Sequence, residues 1–170
     1  MKASFPYIVL VCLAFIWCIA PVLPPMLAWH VSPANPLSSQ LYTWFSHICH
    51  QVDSRSLHLF GMKLSVCARC SGIYVGFFLG VVLSPFLSRR VSLSAIKWWA
   101  LALLPMLIDI ALDVLGIHSS TIVTRVATGV VFGVNAAFIL TPLIEESLEK
   151  FIPMNWGQRK QGVFYESQTR

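Results

Sequence analysis

Charge is scarce in this sequence. Only 11% of its 170 residues are Asp, Glu, Lys or Arg, against roughly a quarter in a soluble domain, so it cannot cover a water-facing surface in the usual way. No charged residue occurs between Lys2 and Asp53. Cysteine is also sparse, and five in the whole chain fall short of a disulfide-scaffold composition. There is no phosphate-binding glycine loop, no Ser/His/Asp order suited to a hydrolase and no repeat array. Apolar residues fill the gap: 56% of the chain is hydrophobic and the mean hydropathy is +0.72. The net charge of +5 resembles a nucleic-acid signal, but its cations stand at segment ends with no separate basic domain, which argues against nucleic acid. The composition is that of an integral membrane protein in a lipid bilayer.

Uncharged runs predict four spans, at about 5–27, 70–88, 98–117 and 121–144, each near the 20 residues that cross a hydrocarbon core. Pro21, Pro24 and Pro25 are expected to end the first helix. That run is too long for a signal-peptide core and is read as a retained helix. Lys2, Arg89, Arg90, Lys97, Lys150, Arg159, Lys160 and Arg170 fall on one side of such a hairpin arrangement, and Arg55, Lys63, Arg69 and Arg125 on the other. The excess marks the cytoplasmic face, so both termini are expected inside and the loop 30–66 outside. The fold class is therefore all-α, an integral membrane four-helix bundle (1–150) with a cytoplasmic tail (151–170). Gly72, Gly76 and Gly80 in the second span match Gly129, Gly133 and Ala137 in the fourth. Such ladders permit close helix packing in lipid, within one chain or in a homo-oligomer.

The outer loop has structure of its own. Ser38 or Ser39 can cap an amphipathic helix running to about Gln51, with Leu41, Trp44, Phe45, Ile48 and Val52 on one face. It is expected to lie along the membrane surface or to pack onto the bundle. A short alternating stretch, Leu57 to Val66 with Gly61 as a turn, leads to Cys67-Ala68-Arg69-Cys70. Cys49 and His50 precede it. The resulting Cys-His-x16-Cys-x2-Cys pattern offers Cys49, His50, Cys67 and Cys70 as a tetrahedral set for zinc or another transition metal. His47 and His58 are spare ligands, whereas Cys12 and Cys18 read as packing residues inside the first span. Two other readings of the thiols stay open: a catalytic redox pair and a structural disulfide, which an outer location favours.

Within the third span Asp109 and Asp113 are four residues apart and share a face. Counting from the turn at His118-Ser119-Ser120, Asp113 and Arg125 lie about 7–8 Å deep on adjacent antiparallel helices. Such charges face a partner or a cavity. One arginine cannot neutralise both carboxylates, so Asp109 is protonated, meets Arg69 or Arg55, or binds something else. Beside a metal, Asp109 and Asp113 are candidates for catalytic roles, as ligand or general base. Arg55, Arg69 and Arg125 suit an anionic or amphiphilic ligand.

The strings Cys49-His50-Gln51, Arg55-Ser56, Gly61, Cys67-Ala68-Arg69-Cys70, Gly72-Ile73-Tyr74 and Gly76 resemble the signature of a family of small bacterial and archaeal multi-pass membrane proteins of unknown function. Pro105, Asp109, Arg125 and Thr128-Gly129 are similar to its second block, so the resemblance covers about 45–133. It implies the cytoplasmic membrane of a bacterium or archaeon and signature roles for Cys49, His50, Arg55, Cys67, Arg69 and Cys70. It implies no activity. The sequence thus leads to an outward metal site, with or without chemistry on a lipid-like ligand. The alternatives are a membrane thiol-disulfide oxidoreductase using Cys67, Cys70 and Cys49, and a non-enzymatic assembly or stability factor.

Overall fold

The computed structural model describes residues 5–32, 34–87, 93–117 and 120–151. Lys2, Arg89, Arg90, His118, Ser119 and the expected tail beyond Phe151 lie outside the described residues. The chain is mostly helical: α1 (Phe5–Ile19), α2 (Leu23–His30), α3 (Pro36–Ser46), α4 (Ala68–Leu87), α5 (Leu93–Val114) and α6 (Ile122–Phe151). It is not purely so. Strands β1 (Ser56–Leu59) and β2 (Met62–Cys67) pair as an antiparallel hairpin, which corrects the all-α expectation. Among the described residues three helical stretches are long and apolar enough to cross a membrane: Phe5–His30, Ala68–Phe86 and Ile122–Glu145.

The prolines do not end the first helix. A 3-10 turn at Ala20–Val22 joins α1 to α2, and the reason is a missing donor. Pro24 has no N–H for the Ala20 carbonyl, so the Leu23 N–H bonds to it instead, three residues on rather than four. Pro25 likewise leaves the Pro21 carbonyl without its helical partner, and the Ser65 hydroxyl of β2 donates to it at 3.1 Å. Each proline stands in the first turn of the segment that follows, where an N–H has no helical partner anyway. The helix axis is thereby carried on to His30.

Two glycine ladders set the central packing. A methyl group on Gly72 or Gly76 would overlap the backbone of Val126 or Val130, and one on Gly129 or Gly133 would overlap the carbonyls of Arg69 or Ile73. The order of these contacts makes α4 and α6 parallel, with backbones in direct apposition, so the ladders are occupied within the chain. Against them α1 runs antiparallel. Its Tyr7 hydroxyl donates to the Val81 carbonyl at 3.2 Å, Phe15 meets Phe78 at 5.5 Å, and Trp17 meets Tyr74 edge-on at 5.9 Å. Leu10, Ala14, Val81 and Ala137 form the buried centre of this packing.

At the other end α2, the start of α3 and the hairpin project past the start of α4. The α3 cap is Asn35 rather than Ser38 or Ser39, its side chain accepting from the Leu37 and Ser38 N–H groups. Asn followed by Pro36 is the strongest start signal in the segment. Ser38 instead faces inward and donates to the Pro24 carbonyl at 2.8 Å, which fastens α3 to α2.

Candidate metal centre

Two separate segments deliver the cysteines. Cys67 is the last residue of β2, and Cys70 lies one turn into α4. Cys49 follows α3, where its N–H still bonds to the Phe45 carbonyl at 3.0 Å. The chain then reverses at Gln51, a non-glycine residue with φ +50°. That conformation is held by its own polar groups: the Gln51 amide donates to the Tyr42 carbonyl at 2.7 Å, and the Lys63 ammonium donates to the Gln51 carbonyl at 3.1 Å. The glutamine is therefore a splint for the cysteine loop.

The three sulfurs lie within 4.8 Å of one another. Cys67 Sγ and Cys70 Sγ are 3.5 Å apart, and the Cys67 backbone N–H donates to Cys49 Sγ at 3.1 Å. Around a tetrahedral zinc with bonds of about 2.3 Å, neighbouring sulfurs stand roughly 3.8 Å apart, so the spacing fits one ion. Phe45, Val66, Ala20 and Tyr74 wall the group and limit access of water. The sulfur neighbours Cys49 and then Cys70 hold the Cys67 thiol well below the usual thiol range, which favours the thiolate that ligation needs.

No histidine joins the group among the described residues. His50 is exposed while Cys49 beside it is buried. His47 bonds its Nδ1 to the Thr43 carbonyl at 2.9 Å, and His58 pairs with Asp53 at 3.3 Å; both are exposed. The donor set brought together is three cysteines, not the Cys3His set expected from spacing.

Beside it lies a charge network. Arg125, 5% exposed, grips both Asp113 oxygens at 2.9 and 3.1 Å, as the α5–α6 hairpin geometry predicts. Arg55 approaches the same carboxylate at 3.6 Å from a half-exposed position, and the Ser120 N–H donates to it at 3.4 Å. Asp109 pairs with Arg69, one of the two partners named for it from sequence. Neither carboxylate belongs to the sulfur group. Both occupy arginines, so the positions considered for catalysis are ion-pair partners here. Three guanidinium groups face two carboxylates, and among the described residues Arg69 Nε is buried without a hydrogen-bond partner.

A family model described as "Predicted membrane protein (DUF2085)" matches residues 49–139. The chain belongs to this family. Its DUF2085 segment opens at Cys49 itself and contains the three thiols, Arg55, Arg69, Asp109, Asp113 and Arg125. An uncharacterized protein of Methanocaldococcus jannaschii is 36% identical over 116 residues, 67% of this chain and 74% of that protein. An uncharacterized protein of Methanothermobacter thermautotrophicus is 29% identical over 101 residues, 59% of this chain and 90% of the relative. No solved structure matches. Membership thus makes this DUF2085 chain a membrane protein and leaves its chemistry to the site itself.

Sequence reasoning missed four positions that shape the centre. Tyr74 stands one turn after Cys70 on the same helix face, a spacing that could have been read. Tyr74 and Gln51 enter the sequence reading only as letters of the family signature. Ser65 and Ala20 carry no local signal, because their roles depend on the Ala20–Val22 turn and β2 meeting in space.

Proposed function

We propose that this DUF2085 protein is a four-span membrane protein whose Cys49, Cys67 and Cys70 bind one transition-metal ion, zinc first among them. The observation that carries the reading is the convergence of three sulfurs from two segments within 4.8 Å, one already accepting a backbone N–H. Hydrogen bonds of that kind orient and tune thiolate ligands. In this reading α5 is the fourth span, and the distribution of Lys and Arg puts the site on the outer face with both termini inside. Three protein ligands leave a fourth position open, the pattern of reactive rather than purely structural zinc sites. Three thiolates around a divalent ion leave one negative charge, and the Arg69 cation sits in the chain between two of the ligands. The excess guanidinium over carboxylate suits an anionic, amphiphilic ligand entering from the leaflet, bound by Arg55, Arg69 and Arg125. Any metal-assisted chemistry would occur on that ligand at the open position.

Cobalt substitution tests the metal site. Purified protein loaded with Co2+ is expected to show the intense bands of a thiolate-ligated tetrahedral ion, lost in Cys49→Ser and Cys67→Ser. Weak octahedral bands, unchanged in those variants, would refute it.

One observation favours a second reading, a thiol-disulfide oxidoreductase. Cys67 Sγ and Cys70 Sγ stand 3.5 Å apart at the head of a helix. Oxidation would form their S–S bond, release two protons and pass two electrons to a membrane quinone. That reading requires quinone-dependent loss of two thiols in the metal-free protein.

A further inference from the structure

The lipid-facing stripe of the first span does not stop where α4 begins. Ala20 packs at the level of Cys67 and Cys70, so α2, the start of α3 and the hairpin extend beyond the start of α4, while the end of α3 returns to the level of Trp17 and Tyr74. Over this outer part Trp29, Leu37, Trp44, Ile48 and Phe60 are exposed. Their placement is ordered. Along α3 and its last turn Leu37, Trp44 and Ile48 are spaced by seven and four residues and share a strip, while Gln40, Thr43 and His47 form another. Phe45 and Ser38 occupy the third face and are buried. The outward surface of this helix is therefore split lengthwise into an apolar and a polar half. The apolar half adjoins the span, because exposed Trp17 of α1 meets Trp44 edge-on at 5.9 Å.

The hairpin tip supplies an independent observation. Phe60 and Gly61 have φ of +54° and +76°, the left-handed pair of a type I′ turn, in which Asn or Asp normally takes the first place. A bulky side chain there is strained. It is nonetheless an aromatic ring, 48% exposed, stacked on Trp29 at 5.5 Å with 17° between the planes.

We propose that α2, α3 and the hairpin tip form a collar seated in the interfacial zone of the leaflet at the site end. The Leu37/Trp44/Ile48 strip and the Trp29–Phe60 pair face the acyl chains, and the Gln40/Thr43/His47 strip faces headgroups and water. Continuity with the lipid-facing side of α1 identifies the occupant as lipid, and tryptophan at such a boundary is the side chain that suits it. The thiol centre then lies beneath the headgroup surface, open to amphiphiles rather than to bulk water. This inference stands without the metal reading.

The full chain reconstituted at high lipid-to-protein ratio in phosphatidylcholine/phosphatidylglycerol vesicles tests it by tryptophan quenching. The Trp44 signal is wild type minus Trp44→Phe, and the Trp29 signal is obtained in the same way. Leu37→Trp adds a reporter at an exposed position should either removal disturb the fold. The expected result is at least twofold stronger quenching by lipids brominated near the headgroup than by lipids brominated near the chain end. Aqueous iodide should have little effect. Quenching by iodide with indifference to bromolipids would put the collar in water and overturn the proposal. Protection from both quenchers would mean that a second copy covers it, which would overturn the proposal equally.

Discussion

Replacing Asp113 by alanine isolates the energetics of the charge network. Arg125 keeps its place in the α6 packing, with 6% of its side chain exposed, and loses both short contacts to the carboxylate. Breaking one side of the pair strands the other charge, so the loss should clearly exceed that from breaking an exposed ion pair. Among the described residues the guanidinium then keeps its Nε bond to the Ser120 carbonyl at 3.2 Å. Arg55→Ala is the internal contrast. Its single 3.6 Å contact comes from a side chain 50% exposed, so the loss should stay below about 1 kcal/mol. Removing both charges with apolar replacements, Asp113→Leu with Arg125→Met, should cost far less than the sum of the single changes. Reversible unfolding in mixed micelles, read by helical circular dichroism, of wild type, Asp113→Leu, Arg125→Met and the double variant supplies the four corners of the cycle. A coupling energy near zero, or a larger loss for Arg55→Ala than for Asp113→Ala, would refute this account of the network.

Three further outcomes follow from the packing and the site. Gly133→Ala forces a methyl against the Ile73 carbonyl and within 2.7 Å of the Phe77 nitrogen. Backbone cannot step aside, so a loss at the upper end of about 1–3 kcal/mol is expected, whereas Val131→Ala at an exposed position should change little; the unfolding midpoints of the two decide it. Ser65→Ala removes the hydroxyl that donates to the Pro21 carbonyl and should cost about 1–3 kcal/mol, recoverable in Ser65→Thr. In metal-free protein Cys67 is the thiol held low by its sulfur neighbours. Its alkylation rate should therefore be nearly flat through neutral pH, while an ordinary thiol speeds up as pH rises toward its pKa. The linkage has a definite sign: a folded-state pKa below the unfolded one adds stability above the unfolded value, lost as pH falls through the folded one. Metal-free protein should accordingly weaken on acidification, and an unfolding midpoint that rose at low pH would contradict this.

Much of the site was legible in order along the chain. The Cys-x2-Cys spacing put Cys67 and Cys70 within one helical turn, and the short link between α5 and α6 put Asp113 beside Arg125. The glycine ladders announced a close contact, and α4 and α6 lie in parallel apposition along them. Other features are decided by distant partners. Pro24 and Pro25 read locally as stops, yet the helix continues because a 3-10 bond and Ser65 of β2 satisfy the freed carbonyls. His50 read as a ligand because it is adjacent to Cys49. Cys49 is buried and its neighbour is exposed, a difference that spacing does not encode. Asn35 before Pro36 carries a stronger cap signal than the serines after it, and it is the residue that caps α3.

Metal content counted against free thiols on one sample tests the central claim most directly. Protein purified in detergent without added chelator is analysed for transition metals, and its reactive thiols are titrated before and after chelation under anaerobic conditions. The account predicts about one ion per chain and three thiols that become reactive only on its removal. The ion should be lost in Cys49→Ser, Cys67→Ser and Cys70→Ser and kept in His50→Ala. A metal-free chain in which two thiols return only with reductant would contradict it, and the centre would then be a disulfide.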